Sequence, residues 1–379
     1  MKIALLTDGI YPFVMGGMQR HSFYLAQYLA AAGVQVDLYH TGTTADQALT
    51  PFSAEARANI RSFVVPFPQA GHWPGHYVRE SYQYATGVWE QFQQHSSDAD
   101  FVYIKGFSGW KLLEAQARGA KLPPTGIKFH GYEMYQRAPS LRSKLEHFLL
   151  RPFVRWNTRA AHYVFSYGGN ITAIVRRLSV PPAQIVEIPT GIAATWLTPP
   201  VARPGARRLV FVGRYERRKG IEELHAVLPD VLDAAPGEMH FVGPIPPDKQ
   251  LRHPQITYHG PLTDSEALRH FLAGCDVLVC PSHAEGMPNV ILEGMATGCA
   301  IVATDVGAVP AMLTPETGLL IAPGDPRVLR DALLTALRWS DGELLARQQA
   351  AYARAGEHFL WEHIAARTLD ALRAIVARG

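Results

Sequence analysis

The stretch MKIALLTDGIYPFVMGGMQRHSFYLAQYLAAAGVQVDLYH, residues 1–40, contains a strand, a loop, a helix and a second strand in that order. Lys2 to Leu6 is apolar and β-like, and Met18 to Ala32 follows a glycine-containing loop as a helix. Gly33 ends that helix, and VQVDLYH forms the next strand. Two strands joined through a helix predict a parallel sheet with crossover helices on its faces.

The rest of the chain repeats this order in two series. The first series holds the β-like runs RSFVVPF, DFVYIKG, GIKFHG and AHYVFSYG, and the second holds RLVFVGR, EMHFVGP, ITYHG, DVLVCPS and AIVATDVG. The segment EIPTGIAATWLTPPVARPGARR between them is rich in Pro, Gly and small residues, which is typical of a linker. The sequence therefore predicts an α/β protein with two doubly wound parallel-sheet domains, 1–190 and 206–357, a hinge at 191–205 and a final helix at 358–379.

Composition limits the classes of protein to which the chain can belong. Its 379 residues suffice for two domains, and 47% hydrophobic with 18% charged residues is typical of a soluble globular protein. The net charge of +3 is too small to indicate nucleic-acid binding. No run of about 18 apolar residues predicts a membrane span, and Asp8 breaks the first apolar run, unlike a signal peptide. Cys275, Cys280 and Cys299 lack metal-ligand spacing and are expected to be buried reduced thiols of a cytoplasmic protein.

A helix start flanked by two glutamates lies in HAEGMPNVILEGMATG, residues 283–298. Pro288 suits the first turn, and Asn289 to Ala296 would form the helix. The backbone N–H groups at this start, together with the helix dipole, make an anion site. Glu285 and Glu293 would be about 12 Å apart in a continuous helix, a span that suits a sugar at one end and a ribose at the other. An ordinary helix with one capping and one surface glutamate is the alternative.

A basic turn in VGRYERRKG, residues 212–220, follows a predicted strand. Arg214 comes just after the strand, and Lys219 precedes a glycine and a helix. Ligands bind at this end of the strands in a parallel sheet, and an arginine fork with a lysine point charge matches a diphosphate. A solvated basic turn is the alternative.

Two motifs in the first series of strands are also candidate ligand sites, one at the start of a helix and one at the end of a β-like run. Gly16 and Gly17 open the first helix, where the absence of side chains lets a phosphate or sugar approach the backbone. His130 ends a β-like run and can hydrogen-bond a substrate hydroxyl, although most lone histidines are structural. The loop before the first helix lacks GxGxxG directly after the strand, so NAD is not expected. Asp98 and Asp100 precede a strand, and we expect a solvated turn and no catalytic metal there.

Together these motifs resemble the retaining glycosyltransferases of family 4, which have the GT-B fold. The resemblance covers nearly the whole chain and rests on seven ordered motifs: GG at 16–17, HG at 130–131, IPTGI in the hinge, GR-x4-KG at 213–220, HGPL at 259–262, EGMPNVILE at 285–293 and VATDVGAVPAML at 302–313. It implies two Rossmann-like domains facing across a cleft. The first would bind the acceptor and the second the nucleotide-sugar, with the last helix packing back on the first domain.

The resemblance also implies a role for each motif. Arg214 and Lys219 would hold the donor diphosphate, Gly16 and Gly17 would meet it from the first domain, and His130 would orient the sugar. Glu285 would bind the sugar and Glu293 the ribose. The helix start between them would contribute Gly286, Met287, Pro288, Asn289 and Val290, and two loops near the base would contribute Gly243 and Leu262. His130, Glu285, Arg214 and Lys219 would be the catalytic residues. Neither a metal nor a cofactor is expected.

The expected function is transfer of a hexose-type sugar, with retention, from a nucleotide-sugar to a hydroxyl of a glycan, lipid-linked glycan or small molecule. A UDP-sugar is the expected donor. A nucleotide-sugar epimerase of the same fold and a non-catalytic sugar-nucleotide-binding protein are the alternatives. The joint presence of GR-x4-KG and EGMPNVILE argues against the epimerase. The presence of Glu285, His130, Arg214 and Lys219 argues against the non-catalytic protein.

Acceptor residues are the least determined by the sequence. The candidates are aromatic residues in HWPGHY (72–77) and GFSGW (106–110) and Tyr132, which would stack on sugars or simply pack in the domain. The basic amphipathic segment SLRSKLEHFLLRPFVRWNTR, 140–159, has two interpretations. It contacts the inner face of an anionic membrane that carries the acceptor, or it is a surface helix with its apolar face in the core.

Overall fold

The computed structural model describes residues 1–69, 71, 75–203 and 205–378. The chain divides into two compact units, each with its own parallel sheet. Unit 1 consists of Met1–His130, Phe148–Thr190 and Trp361–Gly379, and unit 2 consists of Gly131–His147 and Gly191–Leu360. The prediction of two Rossmann-like α/β domains is confirmed. The segment 131–147 differs from the prediction, because it groups with unit 2 although the sequence analysis placed it in the first domain.

Unit 1 is built on a seven-stranded parallel sheet with the strand order β3-β2-β1-β4-β5-β6-β7. Its strands are β1 Lys2–Leu6, β2 Gln35–His40, β3 Ile60–Val64, β4 Phe101–Lys105, β5 Thr125–Lys128, β6 Tyr163–Ser166 and β7 Ile185–Glu187. Its helices are α1 Gly17–Ala31, α2 Ala45–Leu49, α3 Ala54–Arg57, α4 His76–His95, α5 Trp110–Ala117, the second part of α6 Leu141–Ala160, α7 Gly169–Arg177 and α14 Trp361–Val376.

The last helix, α14, belongs to unit 1 because it packs against α1 in the core of that unit. Trp361, at the start of α14, is 1% exposed and lies stacked against Tyr24 and Tyr28 of α1. Burial of a tryptophan with aromatic partners contributes several kcal/mol, at roughly 25 cal/mol per Å² of apolar surface removed from water. Removal of this helix would therefore expose one face of α1.

Unit 2 is built on a six-stranded parallel sheet with the strand order β10-β9-β8-β11-β12-β13. Its strands are β8 Arg207–Val212, β9 Gly237–Val242, β10 Ile256–Tyr258, β11 Val277–Cys280, β12 Ala300–Thr304 and β13 Gly318–Ile321. Its helices are α8 Ile221–Ala234, α9 Ser265–Ala273, α10 Asn289–Ala296, α11 Val309–Met312, α12 Pro326–Leu337 and α13 Asp341–His358, with the first turns of α6.

The topology of unit 2 brings two distant motifs together. Strands β8 and β11 are neighbours, with Leu209 opposite Val277 in the register. Since parallel strands end at the same edge of a sheet, the basic turn after β8 and the loop after β11 lie side by side. The pairing of β8 with β11 thus places two motifs that are far apart in the sequence next to each other in space.

Several smaller expectations can be checked in the same structure. The three cysteines are buried and free, as predicted. In the part of the chain that the structure describes, every helix is too short or too polar to cross a bilayer. Asp98 does lie in an exposed turn, where it pairs with Lys2. Strands β7 and β13 were not predicted.

The apolar side chains of α6 contradict one interpretation of segment 140–159. Leu141, Leu145, Phe148 and Leu149 are 60–86% exposed and Trp156 is 39% exposed. The interpretation as a surface helix with its apolar face in the core is therefore wrong for these five residues. The helix has a second set of contacts on its opposite face, where Val154 and Asn157 are fully buried.

Candidate functional site

A buried carboxylate forms the centre of the candidate site in unit 2. Glu285 is 6% exposed, and its Oε1 accepts hydrogen bonds from Lys219 Nζ at 2.6 Å and from Ser282 Oγ at 2.8 Å. Its Oε2 accepts from Arg218 Nη1 at 3.3 Å. Burial alone would raise the pKa of Glu285, but the charges of Lys219 and Arg218 and the hydrogen bonds from Lys219 and Ser282 outweigh it. The pKa therefore lies below its ordinary value, and the carboxylate is ionised at neutral pH.

Close backbone packing places Lys219 beside this carboxylate. Residues Arg217–Lys219 form one turn of 3-10 helix, and Gly220 follows with a φ of +69°. A Cβ atom on Gly220 would lie 1.9 Å from the carbonyl oxygen of Pro281, so only glycine allows the two loops to approach. The N–H of His283 donates to the carbonyl of Arg218 at 2.8 Å, which joins the loops a second time.

A second charged cluster supports the same turn from behind. Arg217 pairs with Glu223, and His283 Nε2 lies 3.0 Å from Glu223 Oε1. The side chain of Arg214 is 70% exposed and pairs with Glu216 at 2.9 Å, and its role at a diphosphate stays a prediction. The structure thus brings Lys219 to Glu285 but turns Arg214 toward solvent.

The helix after Glu285 has the predicted bounds, since α10 runs from Asn289 to Ala296. Glu293 is 4% exposed on this helix. The distance argument for the two glutamates needs correction, however, because residues 285–288 form a loop and only the second half of the span is helical. The estimate of about 12 Å for a continuous helix therefore does not apply.

The predicted base-binding loops also lie in unit 2. Gly243 has a φ of +140°, and a Cβ atom there would be 2.0 Å from the carbonyl oxygen of Gly213. The loop after β9 therefore packs directly on the GR motif. Leu262 is half-buried in the loop after β10. Their roles in binding a base stay predictions.

In unit 1 the structure brings Gly17 and His130 together. A Cβ atom on Gly17 would lie 2.5 Å from His130 Nε2, so the histidine ring occupies the space that a side chain would need. His130 Nδ1 lies 3.0 Å from the hydroxyl of buried Tyr167, which fixes the ring orientation. A Cβ atom on Gly16 would lie 2.2 Å from Gln19 Oε1, the end of a flexible side chain that can move aside more easily than the ring of His130.

We expect Gly17→Ala to lower turnover by about 10- to 100-fold, because the methyl group displaces the ring of His130, which the sequence analysis predicts to orient a sugar. Turnover and the melting temperature should be measured together. Gly342→Ala is the matched control, since its Cβ would meet no atom within 4 Å and it lies in α13. Equal turnover of the Gly17→Ala variant and the wild type would show that the position of His130 is unimportant.

The candidate acceptor aromatics mostly pack within the protein. Phe107 and Trp110 are each 8% exposed and contact one another, and Tyr132 is 1% exposed. These faces are not available for stacking on a sugar. Of the HWPGHY segment, residues 72–74 lie outside the described residues.

Three contacts around Glu285 were missed from the sequence: Arg218, Ser282 and Gln136. Arg218 had a signal, since it belongs to the basic run, whereas Ser282 and Gln136 had none. Among the residues that the structure describes, no group of three or more His, Cys, Asp or Glu side chains is arranged to hold a metal ion.

Comparison with known proteins gives matches over both units. The family model described as Glycosyltransferase Family 4 matches residues 15–196, and the model described as Glycosyl transferases group 1 matches residues 206–338. Phosphatidyl-myo-inositol mannosyltransferase of Mycobacterium leprae is 26% identical over 402 residues, which cover 100% of this chain and 98% of that relative.

Solved structures share the fold. Sucrose-phosphate synthase of Thermosynechococcus elongatus superposes with a TM-score of 0.80 at 21% identity, covering 100% of both chains. Anabaena HepE in complex with UDP-glucose gives a TM-score of 0.68 at 17% identity, covering 99% of this chain and 100% of that chain. With one family model on each successive part of the chain, the protein belongs to the group 1, family 4 glycosyltransferases, whose fold is GT-B.

Proposed function

We propose that this glycosyltransferase moves a hexose-type sugar from a nucleotide-sugar, in the first instance a UDP-sugar, to a hydroxyl of a glycan, a lipid-linked glycan or a small molecule. The reaction retains the anomeric configuration and uses no metal ion. The observation that carries the proposal is the buried Glu285 carboxylate, held by Lys219 and Arg218 in the loop before α10. This cluster offers, in one place, an acceptor for sugar hydroxyls and cations for a diphosphate.

Lys219 can serve both partners. An ammonium group has three N–H donors, so Lys219 can hold Glu285 and a phosphate oxygen at once. We assign Arg214 to the same phosphates, because its planar guanidinium is on an exposed side chain and matches a phosphate with two N–H donors. Both cations would stabilise the negative charge that grows on the leaving diphosphate. A metal ion stabilises this charge in other transferases, so the two cations support a reaction without a metal.

The proposed bond changes need no separate protein base. A bond forms between the acceptor oxygen and the anomeric carbon, and the bond from that carbon to the diphosphate oxygen breaks. The acceptor proton passes to the departing phosphate oxygen. Attack from the face that the leaving group occupies retains the configuration, and His130 orients the sugar through a ring that Tyr167 holds.

The comparisons support the donor class without fixing it. One relative is a mannosyltransferase by name, and one structural neighbour was solved in complex with UDP-glucose. A hexose on a nucleoside diphosphate agrees with both. Sugar and base are assigned by the experiment below.

The decisive experiment is a donor screen on the purified full-length protein. UDP-, GDP- and ADP-hexoses are each added while thermal stability and release of the nucleoside diphosphate are recorded, with and without glycan or lipid acceptors and with a chelator. We expect one donor class to stabilise the protein and to transfer its sugar with retention in the presence of the chelator. Isomerised donor without acceptor would identify an epimerase instead, and binding without any reaction would identify a non-catalytic protein.

We propose further that α6 docks on an anionic membrane surface, where a lipid-linked acceptor resides. The exposed apolar residues of α6 recur at helical spacing, so Leu141, Leu145, Phe148, Leu149 and Trp156 lie along one face. An exposed apolar face of this kind, flanked by cations, is typical of helices that lie in a lipid interface.

Charge on α6 favours an anionic surface over a protein partner. The exposed charged residues of the helix are five cations and one anion: Arg142, Lys144, Arg151, Arg155, Arg159 and Glu146. Each cation near an anionic membrane contributes about 1 kcal/mol. This excess supports peripheral membrane contact of a chain whose described helices do not span a bilayer.

Charge reversal of Arg142, Lys144 and Arg151 to glutamate should weaken binding to anionic vesicles by at least about 100-fold, because three attractions become repulsions. Flotation with phosphatidylcholine vesicles, with and without phosphatidylglycerol, measures the effect. Arg327→Glu, an exposed change on α12, is the control. Unchanged flotation of the triple variant would exclude the membrane contact.

A further inference from the structure

Gln136 makes an unusual set of hydrogen bonds with the loop that contains Glu285. We infer that Gln136 is a positioning residue for the EGMP loop, Glu285–Pro288, and that it aims the N–H of Gly286 at the donor sugar. The inference rests on the proposed function, because the loop positions a sugar only if this unit binds a nucleotide-sugar. It names a specificity element that none of the seven sequence motifs contains.

The Gln136 side chain pairs with Glu285 as another peptide group would. Its Nε2 donates to the carbonyl of Glu285 at 2.6 Å, and its Oε1 accepts from the N–H of Glu285 at 3.3 Å. The same Oε1 accepts from the N–H of Gly307 at 3.1 Å. Its Nε2 also donates to the carbonyl of Gly131 at 2.7 Å. A primary amide has two N–H donors and an oxygen with two lone pairs, so glutamine can satisfy all four backbone groups with one side chain.

The other side of the loop is fixed by backbone contacts. Gly307 has a φ of +55°, and a Cβ atom there would lie 2.2 Å from the carbonyl oxygen of Glu285. The N–H of Ala308 donates to the carbonyl of Gly286 at 2.7 Å. The EGMP loop is thus held between Gln136 and the turn at 307–308.

This clamp determines the direction of one peptide N–H group. The peptide between Glu285 and Gly286 is planar and trans, so its N–H points away from the carbonyl that Gln136 holds. Gly286 is buried, and its N–H finds no acceptor among the residues that the structure describes. Because a buried N–H without an acceptor is costly, this donor is suited to a ligand oxygen such as a sugar hydroxyl.

The segment that carries Gln136 is anchored beside the loop by a neighbour. Arg137 Nη1 donates to the carbonyl of Pro323 at 2.6 Å, and its guanidinium lies against Gly324. Gln136 follows His130 by six positions, and the chain enters unit 2 at Gly131. The stretch that joins the predicted sugar-orienting histidine to unit 2 therefore also sets the geometry of the EGMP loop.

Gln136→Met tests the inference, because it removes all four hydrogen bonds of the side chain, three to the EGMP loop and Gly307 and one to the carbonyl of Gly131, while nearly keeping the side-chain shape. Hydrogen exchange should quicken by at least about 10-fold at the amides of Glu285 and Gly307 as they lose their acceptor. Donor kcat/KM should fall by about 10- to 30-fold, mostly through kcat, while the affinity for the nucleoside diphosphate alone stays within about twofold. Gln136→Glu keeps an oxygen that can accept from the N–H groups of Glu285 and Gly307, so exchange of these amides should be slower than in Gln136→Met.

Arg137→Met is the matched control, since it removes the neighbouring anchor and leaves the contacts of Gln136 in place. A parallel loss of diphosphate and donor binding in Gln136→Met would show a merely structural role and overturn the inference. Unchanged exchange and turnover would overturn it as well. A wild-type protein that accepts no nucleotide-sugar would contradict the proposed function, whereas the exchange result would still show whether Gln136 holds the loop.

Discussion

Replacement of Lys219 by alanine is expected to lower kcat/KM for the sugar donor by about 100- to 1,000-fold, the usual loss when one preorganised charge at a leaving group is removed. Lys219 Nζ lies 2.6 Å from Glu285 Oε1, with a side chain that is 20% exposed. The substitution therefore removes the cation proposed for the diphosphate and one of three donors to Glu285. Steady-state kinetics with the donor found by the screen measures the effect.

Stability distinguishes a chemical loss from a folding defect in this variant. Glu285 keeps Arg218 and Ser282 as donors, so the free energy of unfolding should fall by only about 1–3 kcal/mol. Lys249→Ala is the control, because that side chain is half-exposed elsewhere in unit 2. Turnover near the wild-type rate in the Lys219→Ala variant would show that the phosphate assignment is wrong.

Elements bounded by strong local signals could be predicted from the sequence. Helix α10 has the predicted bounds because Pro288 precedes its first turn and Gly298, with a φ of +77°, follows its last. Strands β7 and β13 were missed for the opposite reason. Each is three or four residues long and adjoins a segment that resembles a loop, so tertiary pairing and not local propensity makes it a strand.

Side-chain partners were harder to predict than elements. Arg214, Arg217 and Arg218 lie in one basic run, and the 3-10 turn at 217–219 decides which of them reaches Glu285. The sequence analysis assigned Arg214 to a diphosphate, which stays a prediction, and gave no role to Arg218, which makes the contact with Glu285. Gln136 and Glu285 are separated by 149 positions, and no spacing rule connects an isolated glutamine with a loop so far along the chain.

Helix α6 shows a different limit of sequence patterns. Periodicity indicates that apolar residues share a face, but it does not say whether that face is covered. Here the face with Leu145 and Phe148 is exposed, and the buried contacts come from the opposite face through Val154 and Asn157. The amphipathic pattern therefore predicted the helix correctly and left its surroundings open.

The second large effect is expected from Lys105→Met in unit 1, which should raise the free energy of unfolding by about 2–4 kcal/mol at pH 7. Lys105 and Lys128 are the last residues of β4 and β5, are partners in the register, and are both 0% exposed. Burial lowers the pKa of Lys105 to about 7. Burial, with the charge of Lys105, lowers the pKa of Lys128 well below its ordinary value.

The size of the effect follows from the shift of this pKa. An amine with a pKa of 10.5 in the unfolded chain and about 7 in the folded protein destabilises the fold by about 4 kcal/mol at pH 7. Methionine has a similar shape and no charge, so it removes this penalty. It also removes the hydrogen bond between Lys105 Nζ and His21 Nδ1, 3.2 Å apart, at a cost of about 1 kcal/mol.

The pH dependence gives the prediction a definite sign. The folded protein binds fewer protons than the unfolded chain between pH 7 and 10.5, so stability of the wild type should rise with pH across this window. Below pH 7 both states carry the proton, and the penalty stays constant. The free energy of unfolding of Lys105→Met should lack this increase with pH. The difference in stability between the variant and the wild type should therefore shrink steadily as the pH approaches 10.

Denaturant unfolding at several pH values measures both the size and the slope. Lys121→Met, at an exposed position of the same unit, is the control for loss of a lysine without burial. A Lys105→Met variant that is less stable than the wild type at pH 7 would mean that Lys105 stays charged and is stabilised by its surroundings. The charges to consider would then be those that face it, Asp8 as the attraction and Lys128 as the repulsion.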